Sequence, residues 1–87
     1  MRKLSSNTDL YNYLLSLGDL LAGRGSPQLA EAVRFAARQG TGLSAEFLGE
    51  SRIALQRVLD EDSGVLQMHE RDELRGVISQ LNTAFRR

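Results

Sequence analysis

The sequence predicts an all-α fold, a compact antiparallel four-helix domain over residues 1–87. Two observations carry this. Apolar residues recur at the helical repeat in four separate segments and alternate over strand length in none. Start and stop signals bracket the segments at about residues 7–22, 27–39, 45–59 and 68–85. Short breaks favour antiparallel neighbours. No proline-rich or glycine/serine linker, low-complexity tract or internal repeat suggests a second domain.

Ser6-Asn7-Thr8-Asp9 has capping-box spacing, in which a serine hydroxyl accepts from an early backbone N–H and the acid three places on accepts from the cap residue. The first helix starts there and runs to Ala22, where Gly23-Arg24-Gly25 offers glycines for a left-handed ending. Ser26-Pro27 reads as a cap followed by proline at the first helical position, where a missing N–H costs nothing. The second helix then runs to Gln39 and is closed by Gly40-Thr41-Gly42. Ser44 opens the third, with Leu43 and Leu48 spaced as a hydrophobic staple, and Asp60-Glu61-Asp62-Ser63-Gly64 reads as a polar break after Leu59. The fourth, from Met68 to Phe85, has a less well capped start. Asp72 and Glu73 near that start and Arg86 and Arg87 at the far end complement its dipole.

Each segment carries a core stripe. Leu10, Tyr13, Leu14, Leu17, Leu20 and Leu21 share a face of the first helix; Leu29, Ala32, Val33, Ala36 and Ala37 form a flatter face on the second. Phe47, Leu48, Leu55, Val58 and Leu59 serve the third, and Leu74, Val77, Ile78, Leu81, Ala84 and Phe85 the fourth. The small side chains of the second helix let neighbours approach closely and make it the expected centre of packing.

The first helix has a second stripe. Tyr11, Leu15, Gly18 and Ala22 follow one another at spacings of four, three and four, beside the core face and not within it. Phe35 and Ile53 also fall outside their helices' stripes. Burial of the first helix between the second and fourth of its own chain would account for the surplus. So would a partner, because large apolar residues gathered into one exposed patch mark interaction surfaces. At 87 residues a fold buries only about 60–65% of its unfolded surface, and small scaffolds commonly add disulfides, a metal or a second chain. The chain has no cysteine, which removes disulfides, cysteine-rich zinc sites and thiol nucleophiles together.

Other chemistries find little support. Eleven basic residues balance eleven acidic ones, so no global field draws the chain to nucleic acid or anionic lipid. His69 sits among Glu70, Asp72 and Glu73, but a zinc-protease pattern needs a second histidine where Glu73 stands. Leu59 to Glu70 echoes a calcium loop through Gly64, Leu66 and Glu70, yet Leu59 cannot supply the first oxygen ligand. Gly23-Arg24-Gly25 lacks the preceding strand of a dinucleotide fingerprint, and no serine has an evident histidine partner. No catalytic residue, cofactor, metal or small-molecule substrate is therefore assigned.

The second and third helices could be imagined as a helix-turn-helix reader, with Arg34, Arg38, Arg52 and Arg57 as a local basic patch. Glu46 and Glu50, at the start of the candidate recognition helix, would repel phosphate. The amino-terminal Met1-Arg2-Lys3 is not followed by the apolar run of a signal peptide, and nothing approaches a membrane span, so a cytoplasmic location is the default expectation.

The run Ser44-Ala45-Glu46-Phe47-Leu48-Gly49-Glu50-Ser51, continued by Ala54-Leu55 and Val58, resembles a pattern in small uncharacterised bacterial helical proteins over about the middle third of the chain. The resemblance implies a bacterial all-α protein and carries over no activity or site. A bias to arginine, with Lys3 the only lysine, suggests a GC-rich bacterial genome. The expected function is a non-enzymatic protein-interaction module, a homodimer or the receiver of a partner protein, with Tyr11, Leu15, Gly18 and Ala22 as the contact. The alternative is a small DNA-associated regulator using the second and third helices.

Overall fold

A computed structural model of the chain describes residues 7–38 and 44–85. Helices α1 (Asn7–Gly23), α2 (Pro27–Arg38), α3 (Ser44–Asp62) and α4 (Met68–Phe85) follow in order, with a short 3₁₀ turn at Ser63–Val65 before α4. No strand occurs among the described residues, so the all-α four-helix class holds. Neighbours in sequence are neighbours in space: α1 packs on α2, α2 on α3 and α3 on α4. Ser6, Gln39, Gly40-Thr41-Gly42 and Leu43, which carry the expected capping box, helix end and staple, lie outside the described residues.

The turn from α1 to α2 follows from its sequence. Gly25 has φ +87°, the left-handed conformation that side chains resist. With Gly25 there, the Ser26 N–H donates to the Leu21 carbonyl at 2.9 Å and the Gly25 N–H to that of Ala22 at 3.5 Å. This reciprocal pair satisfies carbonyls left over at the helix end. Ser26 then caps α2, its carbonyl accepting from the Ala30 N–H at 3.0 Å.

Helix α3 continues past the expected stop at Leu59 through Asp60, Glu61 and Asp62. Asp60 and Glu61 have helical partners one turn back: Gln56 Nε2 donates to Asp60 at 3.0 Å and Arg57 Nε to Glu61 at 2.9 Å. Such pairs stabilise an exposed helix face by a few tenths of a kcal/mol each, about 0.2–0.5.

The start of α4 is better capped than its sequence suggests. The Gln67 carbonyl accepts from the Arg71 N–H at 2.9 Å as the first helical bond, while Glu70 Oε1 accepts from the Gln67 N–H at 2.7 Å, which is the glutamate half of a capping box with glutamine in the cap position. Arg24, at the end of α1, reaches the same carboxylate. Its guanidinium donates to both Glu70 oxygens, to Oε2 at 3.0 Å, and to the Val65 carbonyl at 2.9 Å. One arginine thus fastens the end of α1 to the start of α4. The Arg24 hydrogen bond, followed by that from the Gln67 N–H, holds the Glu70 carboxyl below the usual carboxylate range.

One core joins the four helices. Leu10, Tyr13, Leu14, Leu17 and Leu21 of α1 meet Leu29, Ala30, Val33, Ala36 and Ala37 of α2; Phe47, Ala54, Leu55 and Val58 of α3 and Leu74, Val77, Ile78 and Leu81 of α4 complete it. Leu20, Leu48 and Leu59, expected in the stripes, are half-buried at its margin, and Ala32 is half-buried too. Leu66, in the connection before α4, is buried with the core. Ser51 is fully buried in α3, and its Oγ has no hydrogen-bond partner among the described residues. The side chains of Ala84 and Phe85 lie outside the description.

Candidate functional site

Helix α1 is built differently from the others. Its seventeen residues include two charged ones, Asp9 and Asp19, and no basic residue. Helices α2, α3 and α4 each carry acids and arginines on their exposed sides. The core stripe takes one face of α1, and what remains outward is mainly uncharged: Thr8, Tyr11, Asn12, Leu15, Ser16 and Ala22 are exposed. Tyr11 keeps 40% and Leu15 38% of its surface in solvent.

Of the four residues expected to form the contact, Tyr11, Leu15 and Ala22 lie on this exposed side and Gly18 does not. Gly18 is buried against α2. A Cβ placed there would lie 3.1 Å from Arg34 Cγ and 3.6 Å from the Ala30 carbonyl oxygen, so glycine lets α1 and α2 approach closely. Its helical angle sits between the core stripe and the outer stripe, and α2 claims it. The outer position at this level belongs to Asp19, whose Oδ1 accepts from Arg34 Nη2 at 3.0 Å. Arg34 therefore covers Gly18 with its stem and neutralises the helix's outward carboxylate with its head, the division between apolar stem and charged tip that arginine allows.

The remaining exposed large apolar residues are scattered over other helices. Phe35 lies on α2, Met68 opens α4 and Ile53 lies on α3. Ile53 shares a shallow groove of about 390 Å³ with Arg52, Gln56, Arg57, Asp60, Glu61 and Asn82. Two arginines and two acids leave that groove without net charge.

The cations considered for nucleic-acid binding are turned to partners. Arg34 pairs with Asp19 at 3.0 Å, Arg38 with Glu31 at 3.5 Å and Arg57 with Glu61 at 2.9 Å, while Arg52 donates to Asn82 at 3.4 Å. Arg52 and Arg57 line the α3 groove; Arg34 and Arg38 do not. Glu46 is exposed at the start of α3. His69 is exposed as well, and among the described residues no three His, Cys, Asp or Glu side chains are grouped as a metal ion would need. No described helix is long and apolar enough to cross a membrane.

The fold and this surface define an all-α four-helix domain with one nearly uncharged helix face. Compared with known proteins, the chain matches no family model, no curated protein and no solved structure.

Proposed function

We propose that the chain is a non-enzymatic protein-interaction module that self-associates through the outward side of α1. The observation that carries this reading is the contrast between α1 and the other helices. Its exposed side combines Tyr11, Leu15 and Ala22 with a single outward carboxylate, and that carboxylate already has Arg34 as counter-ion. Contact surfaces are depleted of charge at their centres and enriched in aromatic residues, and two-fold dimers are the commonest closed assemblies of identical chains. Cytoplasmic location and bacterial origin belong to the same proposal and rest on the sequence features above. The DNA-associated reading has less support, because Arg34, Arg38 and Arg57 face carboxylates of their own chain where phosphates would have to bind.

Leu15→Glu tests the proposal. A carboxylate desolvated at the contact would have no partner, so the variant should stay helical and lose association. Solution mass measured beside helicity decides. A folded variant that keeps the wild-type assembly removes α1 as the contact; one that loses helicity and mass together assigns Leu15 to the domain's own stability.

A further inference from the structure

We infer that the partner on α1 is the α1 of a second copy, running antiparallel across a two-fold axis at Leu15; this rests on the self-association proposed above. Thr8, Tyr11, Leu15, Asp19 and Ala22 are all exposed and occupy one stripe along the helix. Their spacing is symmetric about Leu15, with Tyr11 and Asp19 four residues to either side and Thr8 and Ala22 seven. A two-fold contact requires that wherever one residue touches a second, the second touches the first. This stripe meets that condition with complementary chemistry. Leu15 falls on the partner's Leu15, Tyr11 falls opposite the partner's Asp19, and Thr8 opposite the small partner's Ala22.

Charge decides between orientations. In the antiparallel pair the Tyr11 hydroxyl can donate to the partner's Asp19, whose side chain is 80% exposed and gives one oxygen to Arg34. A parallel pair would set Asp19 against the partner's Asp19, a like-charge juxtaposition that costs affinity. A second copy is also a partner the chain's own electrostatics permit, since eleven positive and eleven negative residues leave no net repulsion between copies. From Thr8 to Ala22 the stripe is about 21 Å long at the helical rise. A contact of that length belongs to the small, concentration-dependent class of interfaces.

The natural absence of cysteine makes the geometry directly testable. Single cysteines at Tyr11, Leu15, Asp19 and Ala22 would be oxidised mildly at a concentration where wild-type solution mass is that of a dimer. A disulfide forms where Cα atoms come within about 7 Å. Leu15→Cys should link to itself, Tyr11→Cys and Ala22→Cys alone should not, and an equal mixture of Tyr11→Cys and Asp19→Cys should yield the mixed pair. Self-linking by Tyr11→Cys and Ala22→Cys alone would show a parallel or shifted pair and overturn this inference while leaving self-association through α1 intact. A dimeric sample in which no α1 position links, or a wild type that stays monomeric, would overturn both. Should a cysteine variant lose helicity, Tyr11→Phe supplies the second measurement. The two-fold axis makes the pairing twice, so losing both hydrogen bonds to a charged group should raise the dimer Kd at least about a hundredfold, and an unchanged Kd would remove the Tyr11–Asp19 pairing.

Discussion

Replacing Ser51 by alanine should stabilise this protein, although it deletes a core atom. Ser51 is fully buried in α3, and its hydroxyl meets no partner among the described residues. A hydroxyl taken from water without a compensating hydrogen bond costs about 1–3 kcal/mol on the scale of protein substitutions. Alanine also propagates a helix better than serine, by roughly 0.5 kcal/mol. Against these gains stands the void left by one oxygen, roughly 15 Å³, which at about 24 cal/mol per Å³ costs about 0.4 kcal/mol. The balance is a gain of about 1–3 kcal/mol. At about 4–8 °C per kcal/mol for a domain this small, that means a Tm higher by at least about 4 °C. Urea and thermal unfolding followed by circular dichroism measure it, and an unchanged urea slope would assign the gain to the native core. Equal or lower stability would refute the reasoning. It would mean that the hydroxyl is hydrogen-bonded, the Phe47 carbonyl one turn back being the natural acceptor for a helical serine.

Three further outcomes test other parts of the fold. Leu81→Ala, at a position only 3% exposed in the α4 stripe, should cost about 2–4 kcal/mol in urea unfolding, and a loss below about 1 kcal/mol would mean that α4 lies loosely on the domain. Gly25→Ala should lower stability by about 1 kcal/mol, because its φ of +87° strains any residue with a Cβ, and unchanged stability would discount that turn. The Glu70 carboxyl is held below its ordinary range, so its stabilising effect is complete above the unfolded glutamate pKa of about 4.3 and is lost as pH falls through the lower folded value. Glu70→Gln should therefore be less stable than wild type at neutral pH, by about 1 kcal/mol, with the gap closing on acidification below about pH 4; a gap that stays constant would rule out the Arg24–Glu70 charge contact as its source.

The four core stripes were legible because burial against a neighbour leaves a helical period in the sequence, and each stripe supplies buried residues where expected. The turn at Gly25-Ser26-Pro27 was legible because glycine tolerates a left-handed backbone, serine favours the cap position and proline fits the first helical position. The end of α3 was not. Asp60, Glu61 and Asp62 suit a loop as readily as a helix, and only the pairing of Asp60 with Gln56 and of Glu61 with Arg57 favours the helix. Ser51 escaped a stripe traced through large apolar residues. The Glu70 capping box had a local signal in the spacing from Gln67 to Glu70, but the bond to Arg24 spans 46 residues and leaves no periodic trace. On the candidate surface, the surplus of apolar residues along α1 could be read directly. Which side of Gly18 faces outward could not, because its angle lies between two stripes and the packing of α2 settles it.

Light scattering on the wild-type chain across a wide concentration series tests the central claim most directly, since everything proposed for α1 requires two copies to meet. The account predicts a mass that rises from the 9.7 kDa of a single chain toward twice that value as concentration increases through the micromolar range and above. A mass that stays at the single-chain value up to millimolar concentration would contradict it.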